Sequence, residues 1–294
     1  MIMKILLFGK YGQLGWELER TLACLGSITT VDYPEVDFQQ PRALVQIIRD
    51  VAPDLIVNAV AYTDVDKAEN EPEIARAINA TSVGVIAEEA RKRKAPIIHY
   101  STDYVFDGTR GEAYIEDDVT NPINIYGQTK LEGEQAIQQV GGAYLILRTS
   151  WVYSLRKGGF VNKVLEWSRQ QKTMRIVDDQ VGSPTWARML AEASTMTIAQ
   201  GMSDLVGFYT TKTGIYHLAG NGTASRYEWA KKILESDPDR ASQTARDVLP
   251  AKSVDFPTPA ARPAFSALNC MRFERDFGVI LPSWQESLRL ALNR

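Results

Sequence analysis

The chain has little cysteine and little histidine, two of each in 294 residues. Two thiols, Cys24 and Cys270, make no disulfide framework, and reduced cysteines suit a cytoplasmic protein. No third ligand clusters with His99 or His217, which argues against a catalytic metal, and both histidines sit in apolar strand patterns that predict core positions. No apolar run is long enough to cross a bilayer, and the first one stops at Gly9 after a few residues. Excess charge is also missing. Lys and Arg number 33 against 36 acids, a net of −3, which gives no electrostatic case for nucleic acid or an anionic membrane. Repeats and low-complexity segments are absent.

What is present is an alternation of short apolar runs and helix-period segments. Strands are predicted at 5–8, 28–31, 55–57, 97–100 and 143–147. Helices are predicted at 14–25, over Leu44–Val51 after Pro41, at 72–94 and at 124–140. The strand runs are continuous rather than alternating, as expected of strands buried on both faces. This order predicts an α/β fold, a Rossmann-like doubly wound parallel sheet, over residues 1–152. The rest is more irregular, with helices predicted at 184–199 and 225–234. Helix 184–200 is expected to join the first domain. Segments 153–183 and 201–294 are expected to form a smaller, discontinuous substrate lobe. Cys24 and Cys270 are read as small core residues. The basic run Arg91–Lys94 is read as a solvated helix end that complements the dipole.

Gly9, Gly12 and Gly15 punctuate the turn from the first strand into the first helix. Such a turn lets a pyrophosphate approach the backbone and the free N–H groups of the helix start, flanked here by Gln13 and Leu14. Asp32 closes the second strand, where a carboxylate binds adenosine ribose hydroxyls. Tyr126 and Lys130 lie four apart on one helix face. A phenol titrates near 10, and a neighbouring ammonium favours its ionised form. Such a pair protonates a ketone oxygen as hydride reaches the carbon. Thr102 follows a buried strand, at the sheet edge where α/β enzymes bind ligands. Arg262, in a loop-rich part of the second lobe, is a candidate for a nucleotide diphosphate.

Several motifs are similar to those of the dTDP-4-dehydrorhamnose reductase family, in the extended short-chain dehydrogenase/reductase superfamily. They are Ser101-Thr102-Asp103-Tyr104-Val105-Phe106-Asp107-Gly108, the stretch from Asn58 to Glu69, Val181-Gly182-Ser183-Pro184-Thr185, and Tyr216-His217-Leu218-Ala219-Gly220. The resemblance runs from Met3 to about Leu292. It implies reduction of the C4 ketone of dTDP-4-dehydro-β-L-rhamnose to dTDP-L-rhamnose with NADPH or NADH. It implies Tyr126 as proton donor, Lys130 as its partner and ribose ligand, and Thr102 as the hydroxyl on the ketone. Gly12, Gln13 and Leu14 match the pyrophosphate loop, and Asp32, Asp37 and Phe38 the adenosine side. Ala61, Tyr62 and Thr63 match the nicotinamide wall, and Asp103 and Trp151 the sugar positions. Some members form dimers bridged by Mg2+ on glutamates. Glu17 is a weak candidate ligand, but Arg188 falls where another acid belongs, so a monomer or weak homodimer is expected. Two alternatives stay open: another dTDP-4-keto-6-deoxysugar reductase or epimerase, and a non-catalytic regulatory subunit of the same fold. A dehydratase is disfavoured because Tyr104 stands where those enzymes place an acid/base.

Overall fold

The computed structural model describes residues 2–156 and 158–293. Its centre is a six-stranded sheet with every pair parallel. Strands β1 (Met3–Phe8), β2 (Gly26–Val31), β3 (Leu55–Asn58), β4 (Ile97–Thr102) and β5 (Tyr144–Thr149) are joined by a sixth, Gly214–His217. The order across the sheet is Gly214–His217, β5, β4, β3, β1, β2. The chain thus runs outward from β1 to β2, then crosses to β3 on the other side. That reversal opens a crevice at the carboxyl ends of β1 and β3.

Both sheet faces are covered, which explains the unbroken apolar runs. Ile5 and Leu7 face one core with Leu14, Leu18, Leu190 and Tyr209. Leu6 and Phe8 face the other with Leu44, Ile48, Ile86 and Ile137. A third cluster, around Tyr153, Val164, Ile176, Trp229 and Leu288, holds the remaining elements. These include a parallel pair, Thr173–Val177 with Asp247–Ala251.

Several elements depart from the sequence reading. The helix expected at 72–94 is broken into Pro72–Arg76, a π-helical turn Ala77–Thr81, and Ser82–Arg93. The wide turn aims Asn79 inward, where it accepts from Tyr62 N at 2.8 Å and donates to Thr129 Oγ1 at 3.1 Å. The helix expected from 184 starts at Ala187, because Thr185–Trp186 pairs with Val152–Tyr153. Within 201–294, Gly214–His217 lies in the main sheet, and Tyr209, Phe273 and Phe277 pack in its first core. Cys24 is exposed rather than core, since the 3-10 turn Leu22–Cys24 turns Leu22 inward. Cys270 is half-buried, and its sulfur accepts from Ala219 N.

Candidate active site

The first helix, Gln13–Thr21, begins at the carboxyl end of β1 with Gly12 as its N-cap, and no side chain caps it. Its first amides are therefore left for a ligand. Gly9 has φ +96, a conformation that favours glycine, and a Cβ on Gly15 would lie 1.9 Å from the Gly9 carbonyl oxygen. A Cβ on Gly12 meets nothing closer than 3.3 Å. Gly12 thus keeps the approach open, whereas Gly15 lets helix and loop close together.

A cavity of about 530 Å³ opens over these residues. It is lined by Gly12, Gln13, Leu14, Ala61, Thr63, Thr102, Asp103, Tyr126, Lys130 and Trp151, all expected at the site. Arg226, Ser101, Tyr104 and Ala59 line it as well. Gln13 ties the loop to the second lobe by accepting from Ser154 N at 2.6 Å.

Tyr126 is brought in by a close helix approach. Asn124 caps the helix Ile125–Val140, accepting from Gly127 N at 2.8 Å. A Cβ on Gly127 would lie 2.1 Å from the Tyr104 carbonyl oxygen, so only glycine lets the helix seat so near the end of β4. The Tyr126 ring packs edge-on to Tyr104 at 5.8 Å. Burial pushes the Tyr126 phenol well above its ordinary value, against an opposing hydrogen bond from Thr102. Lys130 is also buried, and burial pushes its ammonium down to about 8 against the pull of Glu134. The sequence reading has Lys130 acidify Tyr126 directly. Here Nζ instead meets Tyr100 O at 2.6 Å and His99 Nε2 at 3.2 Å.

Asp103 is almost fully buried. Its carboxyl group accepts from Ser266 Oγ at 2.5 Å, Ser150 Oγ at 2.8 Å and Thr102 Oγ1 at 3.1 Å. Burial outweighs these bonds and raises its pKa to about 6. Trp151 adopts φ +43, uncommon for a bulky residue. Its ring stacks on Trp229 at 5.6 Å, and the Arg226 guanidinium lies 3.5 Å from its centre.

Other expected residues lie elsewhere. Asp32 accepts from Tyr11 N and Tyr33 N, each at 2.8 Å, while Lys10 pairs with Glu35 at 2.7 Å. Asp37 closes a turn onto Gln39 N, and Phe38 packs edge-on to Phe8. The Tyr62 hydroxyl turns to Glu71 at 2.7 Å, and burial first, then Glu71, pushes it up to about 12. Arg262 does not line the cavity. Its guanidinium forks onto Asp66 at 2.7 and 3.0 Å, so the fork expected for a diphosphate is occupied by a carboxylate in this structure. The arginine at the cavity is Arg226, which sequence reasoning missed although it placed the helix beginning at Ser225. It also lines a second cavity of about 490 Å³ with Phe160, Trp167, Arg175 and Gln180.

The donor set does not fit Mg2+ at Glu17. Its buried carboxylate pairs with Arg188 Nε at 3.2 Å, and no cluster of three His, Cys, Asp or Glu suited to a metal occurs among the described residues.

A parallel doubly wound sheet, a glycine loop at its switch point and a Thr/Tyr/Lys set lining the cavity there define an oxidoreductase of the extended short-chain dehydrogenase type. More narrowly, residues 3–294 match the family described as RmlD substrate binding domain, and the chain belongs to it. It is 42% identical to the dTDP-4-dehydrorhamnose reductase of Escherichia coli K12, over 99% of this chain and 97% of that one. Identity to the Burkholderia thailandensis dTDP-4-dehydrorhamnose reductase is 40%, over 99% and 98%. Its fold matches a Clostridium acetobutylicum dTDP-4-dehydrorhamnose reductase with TM-score 0.90 at 32% identity, covering 99% of each chain. A Bacillus anthracis dTDP-4-dehydrorhamnose reductase solved in complex with NADP gives 0.87 at 32% identity, again covering 99% of each.

Proposed function

We infer that this chain is a nicotinamide-dependent reductase that converts dTDP-4-dehydro-β-L-rhamnose to dTDP-L-rhamnose. The observation that carries the reading is the convergence of Thr102, Tyr126 and Lys130 on one cavity that also meets the uncapped helix start at Gly12. Full-length relatives of that name support the substrate.

The residues fit a dinucleotide. Gly12, Gln13 and Leu14 would hold the pyrophosphate, Asp32 the adenosine ribose, and Ala61, Thr63 and Lys130 the nicotinamide half. When bound, the reduced cofactor supplies a hydride. Thr102 orients the ketone by donating to its oxygen. Tyr126 stays protonated because burial raises its pKa, so it holds the proton that the new alkoxide needs. Tyr104 is a buried phenol with a raised pKa and no base character, which favours the reductase over a dehydratase. Trp151 packs against the sugar, and Arg226 binds the diphosphate between the two cavities. The elements around the third cluster form the substrate lobe. Ion pairing of Glu17 with Arg188 favours a metal-free protein, monomeric or weakly dimeric, and the free thiols Cys24 and Cys270 suit the cytoplasm.

The test is loss of NADPH or NADH absorbance with dTDP-4-dehydro-β-L-rhamnose, with C4 stereochemistry of the product read by NMR. Turnover to dTDP-L-rhamnose supports the reading. No turnover with a folded, cofactor-binding protein favours the regulatory-subunit alternative, and a different C4 epimer favours another sugar reductase.

A further inference from the structure

Asn58, His99 and Lys130 form a hydrogen-bonded chain under the cavity floor, and one end of it is fixed. Val60 N donates to Asn58 Oδ1 at 3.1 Å. A backbone N–H only donates, so the Asn58 oxygen must face Val60 and Nδ2 must face His99. Nδ2 lies 3.1 Å from His99 Nδ1. Only a bare Nδ1 accepts there. His99 is fully buried, and burial, together with the Lys130 charge, holds its pKa well below the ordinary histidine value. The ring is therefore neutral, and its single proton must sit on Nε2.

Nε2 lies 3.2 Å from Lys130 Nζ, which also donates to Tyr100 O. An ammonium has three donors and no lone pair, so it sets N–H against N–H at His99. An amine accepts from Nε2–H, donates to Tyr100 O and keeps one N–H for the cavity. We propose that the Val60–Asn58–His99 chain favours the amine form of Lys130, making His99 a positioning residue that controls when the lysine is charged.

This rests on the reading above, in which Lys130 serves Tyr126. Burial acts in the same direction as the chain. The other charged groups are few. Glu134, on the helix of Lys130, favours the ammonium, but it is itself paired with Arg148 of β5 at 2.7 Å and accepts from Ser101 of β4. On the cavity side stand Tyr126, Asp103 and Arg226. The ammonium is the form that stabilises the phenolate left when Tyr126 gives up its proton. Loss of that charge sets the alkaline limb of kcat.

Two measurements test the chain. Ring-nitrogen chemical shifts from isotope-labelled histidine read the tautomer with no substrate present. His217 is an internal contrast, since its Nδ1 lies 3.0 Å from the Tyr114 carbonyl, which only accepts. One ring is expected with its proton on Nε2 and one with it on Nδ1, the former signal vanishing in His99→Gln. Two Nδ1-protonated rings overturn the proposal. The second measurement uses Asn58→Asp, whose carboxylate accepts from both Val60 N and His99 Nδ1–H. That leaves His99 Nε2 to accept from an ammonium. The alkaline limb of kcat is expected to rise by about one pH unit or more, with cofactor KM changed by less than about threefold. An unmoved limb in the folded variant overturns the proposal. Absence of turnover in the native protein counts against the proposed reaction instead, and the tautomer shifts then decide alone.

Discussion

The guanidinium of Arg226 lies 3.5 Å from the centre of the Trp151 ring, and no ion pair joins it to a carboxylate among the described residues. Burial lowers its pKa, with the Tyr104 phenol as its hydrogen-bond partner, yet an arginine in such a site keeps its charge. A cation over an indole, lining two cavities, lacks a counter-ion that a diphosphate supplies.

Arg226→Gln is therefore expected to raise KM for the dTDP-sugar. A charge-assisted hydrogen bond contributes about 1.5–3 kcal/mol, so the rise is roughly 10- to 100-fold. Cofactor affinity is expected to stay put, because the cofactor pyrophosphate is assigned to the glycine loop and Arg226 to the sugar's diphosphate. Steady-state kinetics with calorimetry on the cofactor checks both. An unchanged substrate KM removes Arg226 from the diphosphate site.

Tyr126→Phe deletes one oxygen and little volume. It is expected to lower kcat by about 10²–10⁴, the contribution of a positioned general acid, with little change in cofactor binding. Thr102→Val leaves the acid in place and is expected to cost less. Single-turnover rates of the folded variants decide it, and near-native turnover in Tyr126→Phe defeats the mechanism.

Asp103 links the site to stability. Its folded pKa, about 6, lies above the ordinary aspartate value, so the folded state holds the proton more tightly than the unfolded chain. That stabilising difference is complete below about pH 4 and is lost as pH rises through about 6. Asp103→Asn cannot titrate, so native stability relative to the variant is expected to fall by up to about 3 kcal/mol between those limits. Urea unfolding of both proteins across that range measures it. A constant difference means that folding leaves the Asp103 pKa at its unfolded value.

Much of this was legible in the sequence, for identifiable reasons. β1, β3 and β4 are buried on both faces, so their runs are mostly apolar, with His99 a buried polar residue inside β4. The glycine loop and the Tyr126/Lys130 spacing are local, and local patterns survive in a sequence. What was hidden depends on distant partners. Arg262 looked free because Asp66, which occupies its fork, is 196 residues away. Arg226 is one arginine in an ordinary helix, and only packing against Trp151 marks it. The π-helical turn at Ala77–Thr81 exists for Asn79 contacts with Tyr62 and Thr129, which helix periodicity does not encode. His99 was read correctly as core, but its partners come from β3 and the helix of Lys130.

The choice between NADPH and NADH turns on a cluster beside the glycine loop. Asp32 sits where the adenosine ribose is expected, and its carboxylate repels a 2′-phosphate. Lys10 is the cation at hand, but its Nζ is held by Glu35 at 2.7 Å, a pair that raises Lys10 and lowers Glu35 from their ordinary values. Glu35 also accepts from Tyr11 OH and Asp32 N, so it anchors the whole turn. Native protein is expected to use NADH. Glu35→Gln releases Lys10 toward a 2′-phosphate while keeping a hydrogen-bonding side chain. Exposed charge pairs are weak, so the ratio of kcat/KM for NADPH over NADH is expected to rise only about two- to fivefold. Asp32→Ala removes the repelling carboxylate itself and is expected to shift the ratio further the same way. The gain in Glu35→Gln is expected to shrink at high salt, as it does for exposed charges. A shift toward NADH in Asp32→Ala removes Asp32 from the ribose site, and a shift toward NADH or a salt-independent one in Glu35→Gln shows that Lys10 does not meet the cofactor.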